Sequence, residues 1–268
     1  MRVLYYFRKW RTNLMKKLIL ILAVITVLMT ALSVEAATSR KTKSAQKTVP
    51  VSFLTPDGFQ LKGDFFPATP AAPVVLLLHQ LGMNRSEFIG LAKALQASGI
   101  NALAYDARGH GESVLKDGKK VTYETFTDKD FENTTVDMDT AIRFLRDTKK
   151  ISAKSPIGIV GASIQSSTGL IYASEHPDVR AVVLLSPGLD YHGIDTKGPM
   201  ALYGNRPVFI AASINDSASY KAVKELEAIA KGAKKKEILS DGGHGAAMFR
   251  KDPGLQDRVA LWLKGNLK

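Results

Sequence analysis

Three residue types that together perform acyl transfer occur in one order along this 268-residue chain: Ser163, Asp216 and His244. A serine hydroxyl is a weak nucleophile until a base removes its proton. An imidazole, with a pKa near neutrality, can take that proton and later return it to a leaving group. A carboxylate fixes the imidazole tautomer and stabilises the imidazolium. Ser163 follows Ile157 to Gly161, a run made only of Ile, Val and Gly, and precedes a segment able to start a helix. A sharp strand-to-helix turn at a serine is a nucleophile elbow. Gly161 and Ala162 supply the small neighbours such a turn needs. Gln165 stands where the G-x-S-x-G pattern asks for a second glycine. The negative oxygen of a tetrahedral intermediate needs backbone donors. The N–H of Ile164 is one candidate, and that of Leu81 is the other.

The remaining polar residues are assigned by position. Asp241 rivals Asp216 as the acid, but it lies three residues before His244 in one loop, so Asp216 is preferred. His244 sits among Gly242, Gly243 and Gly245, which suits an exposed imidazole. His79 is expected to order the loop that carries Leu81. His110 is expected to be structural, in a turn that Asp106, Arg108 and Ser113 bond together, and His176 to mark a helix end. His79, Gln80, Gln165 and Tyr191 are candidate pocket residues, with His192 beside the last. HExxH, a P-loop and the dinucleotide fingerprint are all missing, as is cysteine, so no metal or cofactor is expected.

These residues need a frame that brings distant segments to one edge. Val51 to Phe65 reads as a β-hairpin around Thr55-Pro56-Asp57-Gly58. Val74–Leu78, Asn101–Tyr105, Ile157–Gly161, Ala181–Leu185, Pro207–Ala212 and Lys236–Leu239 read as strands. Helical spacing covers Glu87–Ser98, Phe131–Thr148, the stretch from Ser163 to His176, Tyr220–Ala230 and Leu255–Leu267. Residues 114–129 and 188–205 read as irregular. This alternation predicts one α/β domain over 49–268, with a mostly parallel sheet covered by helices on both faces. His79, Asp106, Ser163, Ser186, Asp216 and His244 then all fall just past strand ends, on the edge where sites form.

The first 36 residues carry six bases and one acid and contain an uncharged run from Leu18 to Val34. Basic, apolar and small-residue parts in that order predict a secretory signal ending at Ala36, and hence a periplasmic or extracellular protein. A membrane anchor over 18–34 is the alternative. Met15-Lys16-Lys17 would open a compact signal by itself. Residues 37–48 read as a polar linker. Of the net charge of +12, about +7 remains beyond residue 36. Lys231 and Lys234-Lys235-Lys236 form the densest basic cluster. They read as a solvated entry to a strand, and no aromatics interleave with them to favour nucleic acid.

Taken together, Val74–Gly82, Asp106-x-Arg108-Gly109-His110-Gly111-x-Ser113, Gly161-Ala162-Ser163, Asp216 and Gly243-His244 resemble the α/β-hydrolases. The similarity is greatest to lidless dienelactone-hydrolase-like and serine-aminopeptidase-like members. The resemblance implies an eight-stranded sheet and hydrolysis of carboxylic esters or related acyl bonds in a small-molecule substrate. A peptidase or thioesterase using the same triad, and a catalytically silent binding protein, are the alternatives. Relatives carry glycine at the Gln165 position, so a bulkier start of the elbow helix is expected. Lids insert after the strand ending near Ser186; only about 20 residues separate it from the next strand, so an open site is expected. Oligomeric state is not legible.

Overall fold

The computed structural model describes residues 47–268. The expected signal, anchor, alternative start at Met15 and most of the polar linker lie outside the described residues. Among the described residues, no helix is long and apolar enough to cross a membrane.

Six strands form the parallel body of the sheet: β3 (Val74–Leu78), β4 (Asn101–Tyr105), β7 (Ile157–Ala162), β8 (Val179–Leu185), β11 (Val208–Ser213) and β12 (Lys234–Leu239). β1 (Val49–Leu54) and β2 (Phe59–Phe66) extend it antiparallel beyond β4. These eight match the expected number. A two-residue pair, β5 (Leu115–Lys116) and β6 (Lys119–Lys120), adds two more on the β2 side, so the sheet order is β12-β11-β8-β7-β3-β4-β2-β5-β6, with β1 on β2. A small separate hairpin joins β9 (Asp190–Tyr191) and β10 (Ile194–Asp195).

The helices follow from apolar spacing. They are α1 (Ile89–Ala97), α2 (Asp128–Glu132), α3 (Thr134–Asp147), α4 (Ile164–Glu175), α5 (Lys197–Tyr203), α6 (Ser217–Ile229), α7 (Met248–Lys251) and α8 (Gly254–Asn266). Apart from β12 at the sheet edge, the strands of the parallel body are largely buried on both faces, so alternate residues enter two different cores. Leu76, Leu78, Ile159, Val182 and Leu184 meet Met138 and Leu145 of α3, Leu170 of α4 and Val223 of α6. Val75, Leu77, Val160 and Val183 meet Leu91 and Leu95 of α1 and Val259 and Leu263 of α8. Each such aliphatic side chain contributes about 1.5–3 kcal/mol when fully buried.

The structure departs from the sequence reading in four places. Residues 114–129, read as irregular, hold the β5–β6 pair and a 3-10 turn at Tyr123–Thr125. The stretch 131–148 is not one helix: the chain breaks at Asn133, and α2 starts earlier, capped by the reciprocal Thr127–Asp130 box. Residues 188–205 are not plain loop but hold the β9–β10 hairpin and α5. β12 begins at Lys234, two residues before expected, so the lysine run is part of the strand. It lies at the sheet edge with exposed side chains, a placement that discourages edge pairing.

Candidate active site

β7 runs directly into the turn at Ser163, whose φ is +56° and ψ −128°. A non-glycine residue rarely holds a positive φ, and the strain marks a turn fixed from both sides. The tightest contact falls on Gly161. A Cβ there would lie 2.4 Å from the Gln165 carbonyl oxygen and 2.6 Å from the Ser166 Cα. The close approach of strand and helix therefore depends on the glycine before the nucleophile. Gln165 is buried in the first turn of α4, where its side-chain oxygen accepts a hydrogen bond from the Thr168 hydroxyl at 3.0 Å. The departure from the glycine pattern is absorbed within the helix.

Ser163, Asp216 and His244 meet. The Ser163 hydroxyl and His244 Nε2 are 2.6 Å apart, and His244 Nδ1 lies 2.7 Å from Asp216 Oδ2. With Nδ1–H donating to the carboxylate, Nε2 offers its lone pair to the serine proton. Burial acts to raise the Asp216 pKa. Hydrogen bonds from His244 and Ser219, the charge interaction with His244 and a bond from Ser186 outweigh it and hold the carboxyl below its usual range. Asp241 takes no part. It is exposed and bonds to the Asn215 amide and, at 3.4 Å, to Lys251.

The loop after β3 is fixed by His79. Its Nδ1 lies 2.8 Å from the Gln80 carbonyl and its Nε2 accepts the Ala107 N–H at 2.9 Å, which sets Nδ1 as the protonated nitrogen. His79 thus orders the loop, as expected. Gln80 reaches across the site, its side-chain oxygen accepting the Ala246 N–H at 3.1 Å, and so ties this loop to the one carrying His244. Leu81 follows on that loop, and Ile164 is the first residue of α4, where a backbone N–H has no partner within the helix. These two N–H groups remain the candidate oxyanion donors.

Burial pushes the His79 pKa down to about 4, aided by His110 and opposed by its bond to the Gln80 carbonyl. An imidazole in the unfolded chain titrates near 6.5. Between pH 6.5 and 4 the unfolded chain binds a proton that the folded one refuses, so stability falls as pH drops through this window. At pH 5 the protein should be about 2 kcal/mol less stable than at pH 7 from this group. Urea unfolding at the two pH values reads it, and His79→Asn should remove that part of the slope. An unchanged slope in the variant would reject the assignment.

His110 is structural, as expected, and bonds within its turn to Arg108 and Ser113. Its ring stacks on Tyr123 at 4.3 Å and its Nδ1 lies 2.9 Å from the Arg108 carbonyl. Asp106, Arg108 and Ser113 each bond within the turn and also tie it to another element. Asp106 accepts the Arg85 N–H and guanidinium and the Glu112 N–H. Arg108 grips Asp137 and Asp57, and Ser113 accepts the Lys62 N–H. His176 caps α4 and stacks on Tyr172. His192 stacks on Phe131 at 4.3 Å, outside the triad.

Two serines were not singled out by sequence for the roles they fill. Ser186, at a positive φ of 51°, accepts the Gly245 N–H at 2.8 Å and bonds to Asp216. Ser219, in the first turn of α6, lies 3.2 Å from the Tyr191 hydroxyl and also bonds to Asp216. Only Ser186 carried a signal, its place at a strand end. Among the described residues, no group of three His, Asp or Glu side chains is placed to hold a metal.

The family model described as serine aminopeptidase, S33, matches residues 69–258. Thiohydrolase aneE of Aspergillus aculeatus is 29% identical over 140 residues, covering 51% of this chain and 41% of its own. Polyketide transferase grgF of Penicillium is 28% identical over 144 residues, 53% of this chain and 46% of its own. The aligned region thus spans less than half the length of these relatives. Among solved structures, an esterase of Pyrococcus furiosus superposes with a TM-score of 0.67 at 18% identity, covering 84% of this chain and 92% of that one. A dienelactone hydrolase of Anabaena variabilis gives 0.64 at 17%, covering 83% and 99%. The fold is that of these hydrolases, and by the match across residues 69–258 the chain belongs to the serine aminopeptidase (S33) family of α/β-hydrolases.

Proposed function

We propose that this protein is an exported serine hydrolase that cleaves carboxylic esters through an acyl-enzyme on Ser163. The hydrogen-bonded line from Ser163 through His244 to Asp216, at 2.6 and 2.7 Å, carries the reading. Ser163 Oγ attacks the carbonyl carbon while His244 Nε2 takes its proton. The oxyanion faces the N–H groups of Leu81 and Ile164, and His244 returns the proton to the leaving alcohol. Water then repeats the sequence on the acyl-enzyme. Each oxyanion donor is worth about 3–4 kcal/mol of barrier. Export rests on the basic, apolar and small-residue order of residues 1–36.

Thioesters are the second reading, favoured by the likeness to a thiohydrolase. The same triad serves both, and a panel of acyl esters against acyl thioesters separates them by kcat/KM.

The test uses the protein with a fluorophosphonate probe and p-nitrophenyl acetate. Labelling and turnover should vanish in Ser163→Ala. A folded wild type that takes no label would reject the enzyme and favour a silent binding protein. Exported material should begin at Ala37; a mature end at Met1 or Met15 would refute cleavage and favour the anchor.

A further inference from the structure

The two loops that must act together on an acyl group come from distant parts of the sheet. Leu81 follows β3, the neighbour of β7, whereas His244 follows β12, and β8 and β11 lie between β12 and β7. Strand pairing alone does not set the distance between the loops. Phe88 packs on Phe249 of α7 with ring centroids 5.9 Å apart, but that contact is apolar and weakly directional. Among the described residues one hydrogen bond joins the two loops, from the Ala246 N–H to Gln80 Oε1 at 3.1 Å. Of the two ends of an amide only the oxygen accepts, so this bond fixes which way the Gln80 side chain is turned. Its NH₂ meets no partner among the described residues.

The fit is close on both sides. A Cβ at Gly245 would lie 1.9 Å from Gln80 Oε1, so the amide fills the space a side chain would need there. The Gly245 N–H is held by Ser186 Oγ at 2.8 Å. The two residues after His244 are therefore both held by their N–H groups, one of them by Gln80. At its other end Gln80 is fixed through its carbonyl, which accepts His79 Nδ1–H at 2.8 Å and the Met83 N–H at 3.2 Å. In a trans peptide the N–H of the next residue points opposite that carbonyl. The Leu81 N–H is thereby turned away from His79. One residue sets the direction of an oxyanion donor with its backbone and holds the base loop with its side chain.

We propose that Gln80 is a positioning residue for the reaction, coupling the oxyanion loop to the base loop; this rests on the reading of Ser163 as nucleophile. Gln80 acts through Leu81 and His244 and exchanges no proton. Charge gathers on the carbonyl oxygen while His244 takes the serine proton, so donor and base must be in place at the same moment. A displacement of about 1 Å in such a group costs up to about 10²-fold in rate. Ground-state binding does not need that alignment, so the contribution falls on kcat rather than KM.

Gln80→Met keeps the length of the side chain and removes the acceptor. With p-nitrophenyl acetate, kcat should fall about tenfold or more while KM stays within about twofold. Gln80→Glu loses the NH₂ but keeps an oxygen for Ala246, and should hold kcat within about threefold of wild type. Gly245→Ala pushes the amide oxygen aside with Gln80 still present and should lower kcat in the same way. When Gln80→Met and Gly245→Ala are combined the two losses should not add, because both act on one bond. Circular dichroism checks that every variant is folded. An unchanged kcat in Gln80→Met, a loss carried by KM, or additive losses in the double variant would overturn the role of Gln80. So would a Gln80→Glu as impaired as Gln80→Met, which would assign the effect to the NH₂ instead. In each of these cases a wild type that takes the fluorophosphonate label leaves the Ser163 reading standing. A wild type that takes no label overturns that reading and this one with it.

Discussion

Asp216→Asn should lower kcat/KM for an ester about 10⁴-fold while leaving the fold intact, and Asp241→Asn should change it by no more than about twofold. The loss, about 5.5 kcal/mol of barrier, follows from the tautomer. Asp216 accepts the Nδ1–H of His244 at 2.7 Å, which leaves Nε2 unprotonated and 2.6 Å from the Ser163 hydroxyl. An asparagine can turn its NH₂ toward Nδ1. The proton then sits on Nε2, which can no longer receive one from serine. The charge that stabilises the imidazolium is lost at the same time. Burial would raise the Asp216 pKa, but His244, with Ser219 and Ser186, holds the carboxyl below its usual range. Asp241 has no path to the imidazole: its carboxylate bonds Asn215 and Lys251 at the surface. Steady-state kinetics with circular dichroism on both variants decide the matter. Substantial activity in Asp216→Asn with a collapse in Asp241→Asn would reverse the assignment of the acid.

The triad was legible because its signals are local and the topology does the rest. Each member ends a strand, and in a parallel sheet strand ends share an edge, so three sites far apart in sequence needed only the alternation of elements to be brought together. What escaped the sequence depends on tertiary approach. Ser186 and Ser219 have no periodicity, and their bonds to Asp216 exist only because β8 and α6 flank it. The apolar spacing that begins at Phe131 continues through Leu145, so it runs across the break at Asn133 unnoticed. The Thr127–Asp130 box marked the true start of α2 and could have been found. The β9–β10 hairpin turns at His192 and Gly193, both at positive φ, but histidine is a weaker sign of such a turn than asparagine or glycine. The glycine motif placed the tight contact at Gln165, whereas the backbone approach depends on Gly161. A motif records which residues recur, and only packing shows which of them a given chain depends on.

The largest stability effect is expected at Arg108, far from the nucleophile yet bound to its support. The Arg108 side chain is 1% exposed. Its Nε and Nη2 lie 2.9 and 2.6 Å from Asp137 Oδ1 on α3, and its Nη1 lies 2.8 Å from Asp57 Oδ2 in the β1–β2 turn. The guanidinium also sits 4.9 Å above the Phe59 ring. Burial alone would lower its pKa; Asp137, then Asp57, holds it up. Removing one partner of such a pair leaves a charge that water cannot reach, at a cost of about 3–5 kcal/mol. Asp137→Ala should therefore lower the melting temperature by about 10 °C. Replacing both partners with apolar groups of similar volume, Arg108→Met with Asp137→Leu, should recover most of that loss, because no charge is then stranded. The adjoining residue, Ala107, donates its N–H to His79, so the same turn steadies the loop bearing Leu81. Below its melting range, Asp137→Ala should hold the fluorophosphonate label on Ser163, since none of the triad bonds passes through Arg108. Denaturant midpoints for the single and double variants carry the test. A single variant within about 1 kcal/mol of wild type, or a double variant less stable than the single, would show that this ion pair is not what ties the β4 turn to the sheet.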